Sequence, residues 1–296
     1  MINVARALDQ VKTWPATTVA AAVVSAHEGE PRVIDWEGSM DVPLRWASVT
    51  KVATALAVLV ASEEGTVDLD EPCGPPGSTV RHLLAHASGL ATDDDRVLSA
   101  PGRRRIYSNF GFDLLARHVA TQSGVPFGVY LDEAVLSPLG MTSTTLEGSP
   151  ASGMSGPLAD LALLARELLS PQAIAPATLA EATRVAFPGL SGVLPGFGHQ
   201  SPNDWGLGLE IRDSKHPHWT GGLCSESTFG HFGRSGSFIW VDPDRNLACV
   251  SLSDHDFGAW AALRWPRLAD AVLTENLAET RLLNPEHHQD QEAYRS

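Results

Sequence analysis

The pattern of hydrophobic and polar positions predicts a short helix and two strands at the start of the chain. Residues 1–13 have the apolar spacing of a short amphipathic helix. Thr17–Ala26 and Arg32–Glu37 are rich in valine and isoleucine, and the polar turn Glu28–Pro31 separates them. Apolar runs bounded by turn residues in this way are typical of β-strands.

The next segment, Ser48–Glu64, is apolar on nearly every side, with valine, leucine and alanine throughout. A helix without a continuous polar face is buried in the core, and Gly65 is a suitable residue to end it. The sequence therefore predicts a fully buried helix here.

Helical and loop segments punctuated by proline and glycine extend to about residue 190, and strand patterns then return. The predicted helices of this region are Thr79–Ala87, Gly111–Gly124 and Leu158–Leu169. The predicted late strands are Trp205–Arg212, His218–Gly222, Ser237–Asp242 and Leu247–Asp254, and a last amphipathic helix follows over Gly258–Glu275.

This order of elements predicts an α+β protein, in which an antiparallel sheet flanked by helices is built from both ends of the chain. We expect residues 1–65 and 200–282 to form the sheet domain, and residues 66–199 to form an inserted, mostly helical domain. Residues 283–296 are polar and are expected to be a flexible tail. The cleft between two such domains is a common position for an active site.

Composition narrows the class of protein. The 296 residues are 43% hydrophobic and 19% charged, as in globular proteins, and the net charge of -14 argues against nucleic acid and anionic membranes as partners.

No basic segment followed by an apolar one opens the chain, and the longest apolar run, Val52–Ala61, is too short to cross a bilayer. We expect a cytoplasmic protein whose oligomeric state the sequence leaves open, with reduced thiols at Cys73, Cys224 and Cys249.

The candidate chemistry begins with Ser48-Val49-Thr50-Lys51, at the start of the buried helix. Positions i and i+3 share a helical face, so the Ser48 hydroxyl and the Lys51 amine are expected to lie near each other. Burial lowers the pKa of a lysine toward neutrality, and a neutral amine can accept the hydroxyl proton. On these four residues alone, an N-cap serine beside a snorkelling lysine explains the pattern equally well.

Two further segments place polar groups beside apolar runs. Tyr107-Ser108-Asn109 precedes a helical run, where a tyrosine hydroxyl can relay a proton and an asparagine amide can hold a substrate carbonyl. Gly230-His231-Phe232-Gly233 precedes the strand Ser237–Asp242, and small residues in an edge strand let a substrate approach the backbone closely. Backbone N–H groups there are candidates, with that of Ser48, for an oxyanion hole.

The chain contains five segments in a characteristic order: RWASVTKVATALAVLVASEEGTVDLDEP, TVRHLLAHASGL, PGRRRIYSNFGFDLLARHVATQSG, VLSPLGMTSTT and FGHFGRSGSFIWVDP. With them it resembles the serine β-lactamase and penicillin-binding-protein superfamily, in its class C and DD-peptidase-like branch, which also contains esterases and transacylases. The resemblance runs from about residue 17 to residue 254 and implies a β-lactamase-like fold.

The resemblance also implies roles for individual residues. By it, Ser48 is the attacking nucleophile, Lys51 and Tyr107 transfer protons, and Asn109 positions the acyl group. His231 lines the site from its strand, in a position where the family also uses a lysine.

The same strand segment supplies backbone groups and one departure from the family. The resemblance implies that the N–H groups of Ser48 and Arg234 hold the oxyanion, with Gly233 between His231 and Arg234 part of the same site. Phe232 stands where the family usually has a threonine or serine hydroxyl that binds a substrate carboxylate. We therefore expect weak or absent turnover of β-lactams.

These features predict a serine hydrolase that forms an acyl-enzyme at Ser48 on a small ester or amide, without a cofactor or a metal. A transacylase, which passes the acyl group to an alcohol or amine, shares the first step and stays open. A non-catalytic binding module of the same fold is a further alternative, against which the intact Ser48, Lys51, Tyr107 and Asn109 argue. No Gly-x-Ser-x-Gly segment occurs, which argues against an α/β-hydrolase.

Three further groups of polar residues and one group of aromatic residues have simpler interpretations than a role in catalysis. His82 and His86 lie four residues apart, but no third ligand is close in sequence, so a metal site is not favoured. Arg103–Arg105 is interpreted as a solvated surface run, with the alternative that one of these guanidinium groups, or that of Arg234, binds a substrate anion. Asp93–Asp95 is expected in a solvated loop. Core positions, with one or two facing an acyl pocket, are expected for Trp205, Trp219, Trp240 and Phe229.

Overall fold

A computed structural model describes residues 6–27 and 29–283, with side chains as far as Asn276. The strands are β1 (Val19–Ser25), β2 (Arg32–Glu37), β3 (Leu44–Arg45), β4 (Thr145–Leu146), β5 (Met154–Gly156), β6 (Gly192–Leu194), β7 (Gly198–Gln200), β8 (Glu210–Ile211), β9 (Phe229–Gly233), β10 (Ser237–Asp242) and β11 (Leu247–Ser253). The α-helices are α1 (Thr50–Glu63), α2 (Val80–Leu84), α3 (Asn109–Ser123), α4 (Phe127–Leu131), α5 (Ser137–Leu139), α6 (Leu158–Leu169), α7 (Pro176–Ala182) and α8 (Ala259–Leu283).

The central sheet has six antiparallel strands in the order β2-β1-β11-β10-β9-β8. Both ends of the chain contribute strands to it, and most of the helices come from the sequence between them. This arrangement confirms the predicted α+β class with an antiparallel sheet. Two smaller sheets, β3-β5-β4 and β6-β7, lie outside it.

Side chains on the two faces of the central sheet enter two different hydrophobic clusters. Along β10, Ile239 and Val241 pack with α1 and α6 on one face, while Phe238 and Trp240 pack with α8 on the other. Since both faces are covered, β10 and β11 are buried along their whole length, unlike a strand with one solvated face. The cluster that contains α1 extends through the helical part of the chain, so sheet and helices share one core. The domain bounds stay a prediction.

Helix α1 is enclosed as the sequence predicts. Every residue from Thr50 to Ala61 is buried, including Lys51. Gly65, with φ of +74°, follows the helix in the left-handed conformation that glycine adopts most readily. The chemistry-bearing residues at the start of this helix therefore lie inside the protein.

Several predicted elements differ in the structure. His218–Gly222 is not a strand but an irregular segment that packs on α8, where a Cβ at Gly221 would lie 2.1 Å from Asp270 Oδ1. The long strand predicted at Trp205–Arg212 is reduced to β8. The first helix is a 3₁₀ helix, Ala7–Thr13. Of the predicted tail, Leu283 is the last residue of α8, and residues 284–296 lie outside the described residues. Within those residues, none of the helices combines the length and apolar character needed to span a bilayer.

Arg105 corrects the interpretation of the arginine run, because Arg103 and Arg104 are exposed whereas Arg105 is 2% exposed. Its guanidinium donates to the carbonyl groups of Asn203 (3.1 Å), Ala186 (2.8 Å), Phe187 (3.3 Å) and Ala85. One side chain thus joins the segments that follow α2 and α7 to the segment before β8.

We expect Arg105→Met to destabilise the protein by about 3 kcal/mol, because two buried and two partly buried carbonyl groups lose their donor while the volume is kept. Urea unfolding followed by circular dichroism measures the change. Arg103→Met, at an exposed position two residues away, is the control and keeps the wild-type midpoint. Equal midpoints for the two variants would contradict the anchoring role.

Candidate active site

Ser48 lies in a tight 3₁₀ turn, Ala47–Val49, directly before α1. Ala47 has φ of 45°, a left-handed conformation that costs a residue other than glycine on the order of 1–3 kcal/mol. The Ser48 side chain is half-buried and lines a cavity. The candidate nucleophile is therefore held in a strained turn at a cavity wall rather than on the regular helix.

Two strands hold this turn through Trp46. The Trp46 backbone N–H donates to the Met154 carbonyl (2.9 Å) and its indole N–H donates to the Gly156 carbonyl (3.2 Å), both on β5. The Trp46 carbonyl accepts from the Ser237 hydroxyl on β10 (2.7 Å). Because β5 and β10 belong to different sheets, these bonds fix the position of Ser48 relative to both.

Lys51 is completely buried on α1, and its amine donates to two neutral oxygen atoms. Nζ donates to Asn109 Oδ1 (2.6 Å) and to the Ala151 carbonyl (2.8 Å). Burial lowers the pKa of Lys51 to about 7, while the charges of Asp113 and Asp93 oppose the shift. An amine with this pKa is available as a base near neutral pH.

Asn109 begins α3 and links the amine to an acidic loop. Its Oδ1 accepts from Lys51, and its Nδ2 donates to Asp93 Oδ1 (2.7 Å). Ser108 sets the helix start, because its hydroxyl accepts from the Gly111 N–H (3.0 Å) and caps α3. Asp93 is exposed, as expected for its loop, yet it orients the amide that contacts Lys51.

His86 holds the backbone on both sides of Tyr107. The His86 carbonyl accepts from the Ile106 N–H (2.9 Å), and His86 Nδ1 accepts from the Ser108 N–H (3.1 Å). The centres of the His86 and Tyr107 rings lie 4.5 Å apart. Burial, aided by the charge of Lys51, holds the pKa of His86 well below its usual range, so the ring is neutral and Nδ1 stays an acceptor.

The Tyr107 hydroxyl is buried close to Ser48 and Lys51. The Lys51 amine lies 4.7 Å from the centre of the Tyr107 ring. Burial raises the pKa of Tyr107 above its usual range, and the neighbouring Ser48 hydroxyl opposes that shift. The two hydroxyl groups do not meet in a hydrogen bond of standard geometry, and Tyr107 Oη has no other partner among residues 6–27 and 29–283. A protonated phenol therefore lies ready beside the serine.

His231 on β9 contributes a neutral acceptor. Its ring is 3% exposed, and Nδ1 is bonded to the Phe232 carbonyl at 2.8 Å. Since a carbonyl only accepts, Nδ1 carries the proton and Nε2 carries a lone pair. Burial, followed by the charge of Lys51, lowers the pKa of His231 to about 3. Nε2 is buried without a partner in the described part of the chain. His231 is therefore not the cation that a lysine would be here.

Gly233 lets β9 touch the turn that carries Ser48. A Cβ at Gly233 would lie 2.4 Å from the Trp46 carbonyl oxygen and 3.1 Å from Ala47 Cβ, so a larger residue requires the backbone to move. The next residue, Arg234, is exposed. Within the described chain, the backbone N–H groups of Ser48 and Arg234 donate to no protein group, so both are free to bind an oxyanion.

These residues meet at one cavity of about 370 Å³, whose walls include Ser48, Tyr107, His231 and Arg234. Lys51 and Asn109 lie next to them, in contact with each other. The structure therefore brings all seven predicted site residues together. Of the aromatic residues considered above, Trp205 lines this cavity, whereas Trp219, Trp240 and Phe229 are buried in the core.

Phe232 presents an aromatic surface to the cavity. Four neighbouring rings hold its ring, at centre distances of 5.0 Å to Phe257, 5.6 Å to Trp219, 5.8 Å to Trp265 and 5.9 Å to Phe197. The wall at this position is thus apolar and fixed, and it offers no hydroxyl to a substrate carboxylate.

His82 and His86 do not converge on one point. His82 Nδ1 is bonded to the Thr79 hydroxyl (2.9 Å), and its ring stacks on Phe187 at 4.2 Å. His86 Nδ1 is taken by the Ser108 N–H. Across the residues that the structure describes, no three potential ligands come close enough to hold a metal ion.

A buried charged cluster at the cavity has no counterpart in the motifs above. Glu210 lines the cavity, forms an ion pair with Lys215, contacts His218 Nε2 (2.9 Å) and accepts from the Trp219 indole (2.9 Å). Burial alone would raise the pKa of Glu210, but the charges of His218 and Lys215 outweigh it and lower this pKa to about 2. In the sequence, this cluster is marked only by the scarcity of lysine, since Lys215 is one of three lysines in the chain.

The fold and the serine–lysine pair define a class of β-lactamase-like proteins that includes serine hydrolases and acyltransferases. The chain matches the family model described as Beta-lactamase over residues 15–273, and it belongs to that family.

Known proteins of similar sequence or structure agree with this assignment. A crystal structure of a beta-lactamase from Mycobacterium bovis is 53% identical, with a TM-score of 0.89, over 91% of this chain and 99% of that one. EstCE1, a hydrolase with promiscuous acyltransferase activity, is 18% identical, with a TM-score of 0.72, over 90% of this chain and 96% of its own. That likeness shows the fold alone.

A curated relative is more distant. The D-alanyl-D-alanine-carboxypeptidase/endopeptidase AmpH of Escherichia coli K12 is 30% identical over 148 aligned residues, which cover 38% of this chain and 38% of that protein. The match therefore spans well under half of the length of AmpH.

We expect Gly233→Ala to slow the labelling of Ser48 by a fluorophosphonate probe about 100-fold, because the added Cβ forces β9 and its N–H donor away from the turn. Stopped reactions analysed by intact mass give the rate. Gly128→Ala on α4, where a Cβ meets nothing within 4 Å, is the matched control and keeps the wild-type rate. Similar rates for both variants would contradict the close packing of β9 on the turn.

Proposed function

We propose that this protein is a serine hydrolase that forms an acyl-enzyme at Ser48 on small esters or amides. The observation that carries the proposal is the fully buried Lys51 amine, one helical turn from Ser48 and with a pKa of about 7. A buried lysine without a carboxylate contact is costly to keep charged, so the site favours the neutral, basic form.

In the proposed reaction, Ser48 Oγ attacks the substrate carbonyl carbon while its proton passes to the Lys51 amine, directly or through Tyr107. The carbonyl electron pair moves to the oxygen, and the N–H groups of Ser48 and Arg234 stabilise the resulting charge. The bond to the leaving group then breaks, and the leaving oxygen or nitrogen takes the proton from Tyr107, which Lys51 replenishes. Water then attacks the acyl-enzyme and gives its proton to the same groups. The bond between the acyl carbon and Ser48 Oγ breaks, Oγ takes a proton back, and the acid is released.

The cavity supports small esters and amides over β-lactams. Phe232 and Trp205 give it an aromatic wall, Phe232 offers no hydroxyl and His231 is neutral, so neither Phe232 nor His231 attracts a substrate carboxylate. The related M. bovis protein is called a beta-lactamase and AmpH a carboxypeptidase, which supports acyl transfer from an amide as the shared chemistry. We propose that β-lactams are poor substrates.

A transacylase is the second candidate. The hydrolysis and transfer reactions share the acyl-enzyme and differ only in whether water or another nucleophile attacks it. EstCE1, which has this fold, is a hydrolase with promiscuous acyltransferase activity. The apolar cavity walls favour transfer where an apolar alcohol displaces water.

Intact-mass analysis after treatment with a fluorophosphonate tests the proposal. We expect one adduct on the wild type and none on Ser48→Ala, because the Ser48 side chain lines the cavity beside Tyr107 and lies one helical turn from the buried Lys51 amine. A panel of esters, amides and a chromogenic cephalosporin then ranks the substrates. Absence of an adduct on the wild type would favour the non-catalytic binding module instead.

The labelling rate is expected to rise with pH between about 5 and 8 and then to level off, because the Lys51 amine loses its proton around its pKa of about 7. Below that value the rate falls about tenfold for each pH unit. Lys51→Arg abolishes labelling, since a guanidinium stays protonated. Lys12→Arg, at an exposed lysine, is the control and keeps the profile. A flat profile would show that Lys51 is not the base.

A further inference from the structure

A second cavity, of about 450 Å³, adjoins the one that contains Ser48. The two share Thr92, Tyr107 and Pro195 as walls, and the second does not reach Ser48. A substrate whose carbonyl lies at Ser48 can therefore extend into both cavities along these shared walls.

The hairpin β6–β7 forms part of the wall of both cavities, and it is packed tightly on the arginine run. A Cβ at Gly192 would lie 2.3 Å from the Arg105 carbonyl oxygen, and the Arg105 N–H donates to the Ser191 carbonyl (2.8 Å). Because Arg105 is anchored in the interior, the backbone that carries Arg104 at the second cavity is held firmly.

The second cavity is cationic in a strongly acidic protein. Arg104 and Arg105 line it, and none of the aspartates or glutamates of the described residues does, although the chain has a net charge of -14. The Arg104 guanidinium donates to the Leu98 carbonyl (3.2 Å) and forms no ion pair with a carboxylate in the described residues. Its remaining N–H groups can bind a carboxylate or a phosphate in the forked geometry that suits both.

The rim of this cavity is also apolar. Leu98 is 48% exposed and Val193 is 59% exposed, and both line it. Large apolar side chains at such exposure beside a cation suit a ligand that has an apolar body and an anionic end, such as an aromatic carboxylate.

We propose that the second cavity is the subsite for the leaving alcohol or amine, and that it selects a leaving group with an apolar body whose anionic end binds Arg104. The inference rests on the proposed function, in which Tyr107 returns the proton to the leaving group. Tyr107, which returns the proton in that reaction, lines both cavities, so a leaving group in the second cavity is within the reach of the same residue. The acyl part then occupies the aromatic cavity beside Phe232.

A pair of acetate esters tests the subsite: 4-acetoxybenzoate, with an anionic leaving group, and its neutral methyl ester. The wild type is expected to prefer the anion in kcat/KM, and Arg104→Gln is expected to lower the ratio of anion to methyl ester about three- to tenfold. Arg103→Gln is the matched control, since Arg103 is exposed and lines neither cavity. A ratio that is the same in Arg104→Gln and the wild type overturns the subsite.

Binding of 4-hydroxybenzoate, the leaving group itself, to Ser48→Ala by calorimetry separates the two proposals. Weaker binding after Arg104→Gln, but not after Arg103→Gln, supports the subsite even if no ester is hydrolysed. Equal binding in all three proteins overturns it. If hydrolysis of both esters requires Ser48 but the protein does not discriminate between them, the proposed function holds and the subsite alone is overturned.

Discussion

The burial of one lysine amine organises the site. Removing an ammonium group from water costs several kcal/mol, and the two oxygens that Lys51 meets, on Asn109 and Ala151, are neutral and cannot offset that cost as a carboxylate would. The amine therefore loses its proton near neutral pH, and this requires α1 to be covered on every side. The start of α3 supplies the Asn109 amide, and the segment before β5 supplies the Ala151 carbonyl. The surrounding fold is thus what makes Lys51 a base.

Around this amine, rigid contacts fix the reactive atoms. Hydrogen bonds from two sheets to Trp46 hold the turn that contains the left-handed Ala47. Gly233 lets β9 pack against the same turn. His86 accepts hydrogen bonds from the backbone on both sides of Tyr107. In the proposed reaction, the turn, α1 and α3 carry the groups that transfer the acyl group. Phe232, the hairpin β6–β7 and the two cavities are proposed to decide which groups are transferred.

Much of this could be predicted from the sequence where the signal is local. The helix Leu158–Leu169 and the strand Ser237–Asp242 have the predicted bounds, because periodicity and turn residues mark both. The Ser48–Lys51 spacing by itself did not separate a catalytic pair from an N-cap. The order of the other motifs favours the catalytic pair, and the burial that lowers the pKa of Lys51 appears only in the fold.

Other features depend on contacts between distant segments, which local patterns do not encode. Arg105 looked like its exposed neighbours, yet it binds carbonyl groups up to 98 residues away. His218–Gly222 has the residues of a strand, but its polar groups turn to Glu210 and its glycines to α8, so it forms no ladder. Glu210 carries no motif, and its place at the cavity follows from the pairing of β8 with β9.

The two buried lysines show why burial alone does not make a base. Lys215 is 4% exposed, close to the 0% of Lys51, but its amine meets the Glu210 carboxylate and the carbonyl groups of Asp204 and Ile211. That ion pair satisfies the charge of Lys215 and fixes the segment after β8 against the cavity. Lys51 has the same burial and no contacting carboxylate, and Asp113 and Asp93 act on it only through weaker, longer-range attraction. Lys51, the candidate base, thus differs from Lys215 in how a carboxylate reaches its amine. The Asn109 amide lies between the Asp93 carboxylate and the Lys51 amine, so the two charged groups do not touch.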